Sequence, residues 1–266
     1  MAQVYAISTN KGGVGKTSLV TNMAGVLSRQ DCKVLIIDTD GQGNSSMAFN
    51  LNPTNFETTI YDVLMGDSTI HEAIHHIDDN LDLIPANDDM NFLEFDILPN
   101  LDKYTGPFTL LKEAVDQVRN EYDYIFIDTP PSLGLVAGNV LTCVDKVIIP
   151  FIPETFAVKG LIKVIEAINK FKNKENPTLE IEGIVAMMVQ SNTVLHSSML
   201  QQARRYCVEN DITLFETVIP RSVRFANSTA FEGKPAVWTD ANNPIVSAYF
   251  ELTKEVMQHG KKTERA

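Results

Sequence analysis

The run Lys11-Gly12-Gly13-Val14-Gly15-Lys16-Thr17-Ser18 packs two lysines, three glycines and two hydroxyls into one short stretch, a combination suited to binding phosphate. Glycines let backbone N–H groups turn inward around a triphosphate, and a following helix N-terminus adds positive potential. Lys16 is spaced to meet the β and γ phosphates, and the Thr17 hydroxyl is spaced to ligate Mg²⁺. The ordinary GxxxxGK[ST] pattern asks for glycine five residues before Gly15, where this chain has Asn10. The loop therefore follows a deviant pattern, and Lys11 is a positive charge beyond what such a loop needs.

Carboxylates form the second set. Val34-Leu35-Ile36-Ile37 runs into Asp38-Thr39-Asp40-Gly41-Gln42-Gly43-Asn44, and Tyr124-Ile125-Phe126-Ile127 runs into Asp128-Thr129-Pro130-Pro131. An Asp directly after four apolar strand residues is the usual partner of a phosphate-loop Mg²⁺, which makes Asp128 the candidate for that role. Either Asp38 or Asp40 is placed to position an attacking water.

These residues need elements to hold them. Ala2–Ser8 reads as a strand and 17–29 as a helix, so the glycine loop joins the two. Val34–Ile37, Leu81–Ile84, Tyr124–Ile127, Lys146–Phe151, Ile181–Met188 and Leu214–Ile219 read as further buried strands. Helical spacing falls near 108–121, 133–142, 157–172, 196–209 and 244–258. Continuous apolar strands alternating with helices predict an α/β fold of the P-loop NTPase type, a mostly parallel twisted sheet with helices on both faces. Ligands of such sheets sit beyond the carboxyl ends of the strands. One domain is expected over 1–259, loops and short helices over 44–102, and a disordered tail over 260–266.

Composition narrows the class. The 266 residues are 44% hydrophobic, enough to fill a substantial core. No 18-residue apolar stretch occurs and the chain enters a strand at once, so neither a membrane span nor a signal peptide is expected. Cys32, Cys143 and Cys207 are widely spaced with no CxxC, which reads as reduced packing residues of a cytoplasmic protein. Net charge is −12, unevenly divided: residues 1–150 hold 8 Lys/Arg against 21 Asp/Glu, and residues 151–266 hold 14 against 13. On the helix expected over 157–172, Lys159, Lys163 and Lys170 share one side, a stripe that serves either as a solvated face or as a contact to nucleic acid.

The segments KGGVGKTS, DTDGQGNSS, YIFIDTPPS and IPRSVRFANSTAFEGKP, in this order and spacing, resemble the ParA/MinD family of deviant Walker A ATPases, and within it the small Soj-like partition ATPases. The resemblance runs from the first strand to about Pro235 and is weakest between roughly 45 and 120. It implies a homodimer that sandwiches ATP, binds DNA non-specifically, and hydrolyses ATP when stimulated by a centromere-bound ParB-type partner. Such a protein is cytoplasmic and nucleoid-associated, and it segregates plasmids or chromosomes.

Residue by residue, the resemblance makes Lys11 the lysine that reaches across the dimer to the other subunit's phosphates. Lys16 holds those of its own subunit, within a nucleotide-binding run from Lys11 to Ser18 that includes Gly12, Gly13, Val14 and Gly15. Thr17 and Asp128 become Mg²⁺ ligands, Asp38 a member of the magnesium's outer shell, and Asp40 the water-activating carboxylate. Pro220 matches a position lining the adenine, and Arg221 and Arg224 match basic residues near the DNA-binding surface, to which the stripe at Lys159 and Lys163 would add. One departure stands out: Gly41 occupies a position where the family usually has proline, which makes that segment more flexible.

Two alternatives share the loop. A MinD-like membrane-positioning ATPase would end in a basic amphipathic helix with bulky apolar residues on one face, and 258–266 lacks such a face. A reductase or cluster-assembly ATPase on this scaffold would need cysteines placed to bridge an iron–sulfur cluster, and Cys143 has no suitably placed second cysteine.

Overall fold

Alternation begins at the first residues. β1 (Gln3–Ile7) leads through the glycine loop into α1 (Lys16–Ser28), and β2 (Val34–Asp38) follows. The computed structural model describes residues 1–263 apart from Thr105, Leu133 and Ser191. After β2 come the short α2 (Asn44–Met47) and α3 (Ile60–Met65), then β3 (His75–Asp78) and β4 (Leu81–Ile84). α4 (Leu93–Ile97) lies between 3₁₀ turns at Asp88–Asn91 and Leu98–Asn100. α5 (Leu110–Val118), β5 (Tyr124–Asp128), α6 (Leu135–Cys143), β6 (Lys146–Phe151), α7 (Ala157–Lys174), β7 (Glu180–Ala186) and α8 (Val194–Glu209) continue the pattern. α9 (Val223–Asn227), α10 (Ala236–Thr239) and α11 (Ser247–Thr263) complete it.

The seven strands form one sheet in the order β3-β4-β2-β5-β1-β6-β7, every neighbouring pair parallel except β3 with β4. Both faces are buried, which is why the strands read as unbroken apolar runs. Val4, Ala6, Leu35, Ile37, Ile125 and Ile127 face one core shared with α5, α6 and α7. Tyr5, Ile7, Val34, Ile36 and Phe126 face the other, filled by α1, α10 and α11. Register sets Ile7 level with Asp128 and Asp38 level with Asp128. The glycine loop and the two carboxylates thus leave the sheet along one edge. Among the described residues no helix is long and apolar enough to cross a membrane.

The expected strand over Leu214–Ile219 is not a full strand. Among the described residues, this segment bridges at Ile184 with Leu214 and at Val189 with Pro220, without a continuous ladder between. Between them the N–H groups of Glu216 and Thr217 donate to the Glu255 carboxylate of α11, at 2.7 and 3.0 Å, instead of to a ladder. Phe215 packs over Gly183 of β7, where a Cβ would lie 2.6 Å from its ring. The tail expected from 260 is helical through Thr263, because α11 continues along the sheet; residues 264–266 lie outside the described ones. The loops and short helices expected over 44–102 are present, with the β3–β4 hairpin added.

Glu255 therefore substitutes for strand pairing at a sheet edge. Glu255→Ala should lower the unfolding free energy by about 1–3 kcal/mol, the cost of two N–H groups losing a charged acceptor. Urea unfolding followed by the fluorescence of Trp238, the single tryptophan, measures it, and an unchanged midpoint with unchanged slope would show that the two groups find other acceptors.

Candidate functional site

The loop between β1 and α1 turns through two glycines in the left-handed region, Gly13 at φ +68° and Gly15 at φ +84°. Side chains rarely adopt that region, and at Gly15 a Cβ would also lie 3.0 Å from Met187 Cε. Gly15 caps α1, so the first helical residues Lys16, Thr17 and Ser18 gather at the positive end of the helix. Lys16 is buried, 7% exposed. Burial lowers its pKa from the ordinary lysine value, and the nearby charges of Asp128 and Asp40 oppose that shift.

At the end of β5, Asp128 is fully enclosed. Its Oδ2 accepts hydrogen bonds from the Thr17 hydroxyl at 2.6 Å and the Ser45 hydroxyl at 3.0 Å. Its Oδ1 is buried with no hydrogen-bond partner. Burial pushes the carboxyl up to about 6, against the pull of Thr17, Ser45 and Lys16. A buried carboxylate oxygen without a partner is costly, and beside a threonine hydroxyl it suits a hard divalent cation that takes oxygen ligands.

Asp38 stands beside it on β2, also fully buried, and both burial and the Asp128 charge raise its pKa well above the usual carboxylate range. Each of its oxygens is occupied: Oδ1 accepts the N–H of Asp40 at 2.9 Å and Oδ2 that of Ser45 at 3.0 Å. Asp38 thus ties down the loop from Asp38 to Ser45. Asp40 is part-exposed at the start of that loop, where its Oδ1 accepts the N–H of Gln42 at 3.1 Å. Gly41 packs against the side chain of Asn91, whose Oδ1 would lie 2.7 Å from a Cβ placed there. This chain fills with Asn91 the space that a proline ring would take.

A cavity of about 1110 Å³ opens in front of these groups. Gly12 to Ser18, Asp40, Met187, Pro220 and Arg221 are among the residues that line it. Pro220, which the resemblance makes an adenine-lining residue, is one of the residues in that lining. Lys11 is outside the lining. Its Nζ lies 2.6 Å from Glu154 Oε2, both side chains about half exposed, and this bond holds the Glu154 carboxyl below its ordinary value, with His196 and Arg221 lowering it further. Glu154 and Ser45 escaped the sequence reading. Glu154 lies three residues beyond the end of β6, whereas Asp128 ends β5 itself, so the strand-end rule did not reach it; Ser45 carried no signal beyond its place in the DTDGQGNSS segment.

The expected DNA contacts divide. Lys159 and Lys163 are exposed on α7. Arg221 is also exposed, at the rim of the cavity it helps to line. Arg224 is held between Glu232 at 2.7 Å and Asp240 at 2.9 Å. A guanidinium shared by two carboxylates on neighbouring segments is a structural clamp, and little of its charge is left for phosphate. Cys143 and Cys207 are buried, and burial pushes both thiols up, in line with packing roles.

Residues 2–181 match the family described as AAA domain. Over 98% of its length the chain is 33% identical to the whole of the sporulation initiation inhibitor protein Soj of Bacillus subtilis. Over 96% of its length it is 34% identical to the chromosome partitioning protein ParA of Caulobacter vibrioides, of which 94% is covered. The chain belongs to the ParA/MinD family of deviant Walker A ATPases. Its fold is shared with cobyrinic acid a,c-diamide synthase of Mycobacterium smegmatis, solved with bound ATP analog and magnesium: the TM-score is 0.85 and the identity 28%, over 98% of this chain and 96% of that one. As a ParA/MinD P-loop NTPase it keeps the glycine loop intact and its two lysines in opposite settings, Lys16 buried and Lys11 at the surface.

The buried carboxyl makes a signed prediction. Asp128 titrates at about 6 in the fold, above the ordinary 3.8, so the folded state keeps a proton that the unfolded chain has lost. Its stabilising contribution is full below about pH 4 and is lost as pH rises through about 6. In buffer free of magnesium and nucleotide, Asp128→Asn should be more stable than the parent at about pH 7, with the two converging near pH 4. Urea unfolding at both pH values reads the difference; a variant no more stable at the higher pH would contradict the buried-carboxylate account.

Proposed function

We propose that the protein is a ParA-type partition ATPase. It binds ATP with Mg²⁺, pairs face to face with a second copy, holds DNA without sequence preference, and hydrolyses ATP when a ParB-type centromere-binding partner engages it. Cytoplasmic, nucleoid-associated segregation of a plasmid or chromosome follows from that cycle. The observation that carries the reading is the division of labour between the lysines. Lys16 is committed to the cavity of its own chain, and Lys11, outside that cavity and paired only at the surface, is free to serve the phosphates of another.

In this reading the backbone N–H groups of the Gly12–Thr17 loop cradle the triphosphate and Lys16 balances its β and γ oxygens. Thr17 and Asp128 would hold the magnesium, which supplies charge neutralisation of the phosphates. Asp40, hinged to the loop that Asp38 anchors, accepts the proton of the attacking water. Lys11 exchanges Glu154 for the partner subunit's phosphate, where the developing charge attracts it more strongly than one exposed carboxylate does. Exposed apolar residues flank the same region, Phe156 at 73% and Val223 at 78%, surface that a face-to-face dimer would cover.

Support for partition over the MinD-like alternative comes from the full-length relatives, one printed as a chromosome partitioning protein. The M. smegmatis synthase shares the scaffold, and its ATP analog and magnesium support the same ligands here. For DNA, the exposed α7 lysines and the exposed Arg221 are the residues left to contact phosphates, since Arg224 is held by Glu232 and Asp240. Two copies held rigidly together would double that weak face and gain through effective concentration.

Lys11→Ala should retain nucleotide binding yet lose ATP-dependent dimerisation on size exclusion and slow hydrolysis by on the order of a hundredfold; a variant that hydrolyses normally would end the trans-acting role. Lys159→Glu combined with Lys163→Glu should abolish ATP-dependent retention of arbitrary DNA on filters while sparing dimerisation. The parent's retention should weaken steeply with salt, and DNA binding independent of nucleotide would count against the partition cycle.

A further inference from the structure

α4 and the turns beside it are apolar on two sides. Met90, Leu93 and Ile97 are buried in the core, and Phe92, Phe95, Leu98 and Leu101 are exposed at three-residue intervals, Phe95 by 75%. A surface helix ordinarily turns one apolar stripe to the core and polar residues outward, yet a second apolar stripe here faces outward. At roughly 1.5–2 Å per residue the stripe is about 14–18 Å long, some three turns of helix. That length fits a short segment better than the broad surface of a stable subunit interface.

The flanks say what kind of segment. Asp88, Asp89, Glu94 and Asp102 stand exposed along the same run, with Lys103 the one basic residue between 88 and 103. A second copy docked through this patch about a two-fold axis would set these carboxylates against their own counterparts. A basic segment meets them with opposite charge.

The position says what docking would reach. Asn91 packs on Gly41, in the loop that Asp38 anchors. Glu94 Oε2 accepts the N–H of Leu135 at 3.3 Å, at the start of α6, and lies against Gly134, a few residues beyond Asp128. This short helical run therefore touches both loops that leave the strands at the two buried carboxylates.

We propose that the stripe Phe92–Phe95–Leu98–Leu101 is the docking surface for a basic amphipathic segment of a partner protein, seated where a shift of α4 bears on both loops. The coupling to hydrolysis rests on the ATPase reading above; the docking itself does not.

The test uses the full chain with ATP and a fluorescent Lys/Leu peptide of about 14 residues patterned as an amphipathic helix. Its scrambled isomer and a Glu/Leu counterpart serve as controls. The expected result is at least roughly tenfold tighter binding of the Lys/Leu peptide than of either control. Phe95→Ser with Leu98→Ser should erase that preference, and amide exchange should slow in 88–103. Nucleotide affinity and unstimulated hydrolysis, read on the same samples, should be unaltered by the substitutions; a parent chain that fails to hydrolyse ATP would overturn the ATPase reading while the binding data still decide the docking site. Equal binding of the scramble, or a preference that survives the substitutions, would overturn the proposal. So would self-association, or retention on anionic vesicles, that the same substitutions abolish, since a second copy or a lipid surface would then be the occupant.

Discussion

Two carboxylates standing side by side in the interior set the terms for the rest of this molecule. Asp38 and Asp128 are level on adjacent strands, both fully buried; burial raises the cost of ionising each, and the Asp128 charge adds to that cost at Asp38. Like charges in a low-dielectric setting are tolerated only when something compensates. Here the compensation is unequal. Asp38 receives two backbone N–H groups and becomes the anchor of a loop, whereas Asp128 receives two hydroxyls on one oxygen and leaves the other bare. Identical side chains thus acquire different surroundings from the atoms that reach them, one organising backbone and the other keeping an oxygen unpaired.

The same logic separates the two lysines. Lys16 is drawn into the protein by the first turn of α1, where desolvation weakens its hold on its proton and the carboxylates restore it. Lys11 precedes the turn and remains half exposed, its charge met by Glu154 from the end of β6. An exposed pair of this kind contributes little to stability, so exchanging it for a phosphate costs the fold little. A cationic group that is cheap to redirect is what the proposed contact across a dimer would require, and a lysine fixed in the cavity wall suits a contact within one chain.

Burial also explains how distant parts of the chain come to bear on this edge. The loop fixed by Asp38 has glycine at position 41, and Asn91 fills the space beside it; the N-terminus of α6 lacks a side-chain cap of its own and borrows the Glu94 carboxylate. Both neighbours come from the run 88–100, so the segment with the weakest family resemblance is the one that braces both loops. Its outward apolar stripe then lies next to the nucleotide machinery while touching none of the nucleotide's ligands.

Sequence alone determined the phosphate loop, the strand-end carboxylates and the α/β sheet, because each depends on local chemistry: glycines where the backbone must turn left-handed, apolar runs where both faces are covered, and an Asp where a strand leaves the core. Resemblance added the family and the distinction between Asp40 and Asp38. Only the tertiary structure decided which charges remain free. Arg224 read as a basic surface residue until Glu232 and Asp240 closed on it from outside its own helix. The strand expected over Leu214–Ile219 gave two of its donors to Glu255, some forty residues later. Ser45 on Asp128, Glu154 on Lys11 and Glu94 on α6 are likewise long-range pairings. Partners separated by tens of residues leave no periodicity to read, since it is the packing of the sheet and its two helical layers that brings them within hydrogen-bond reach.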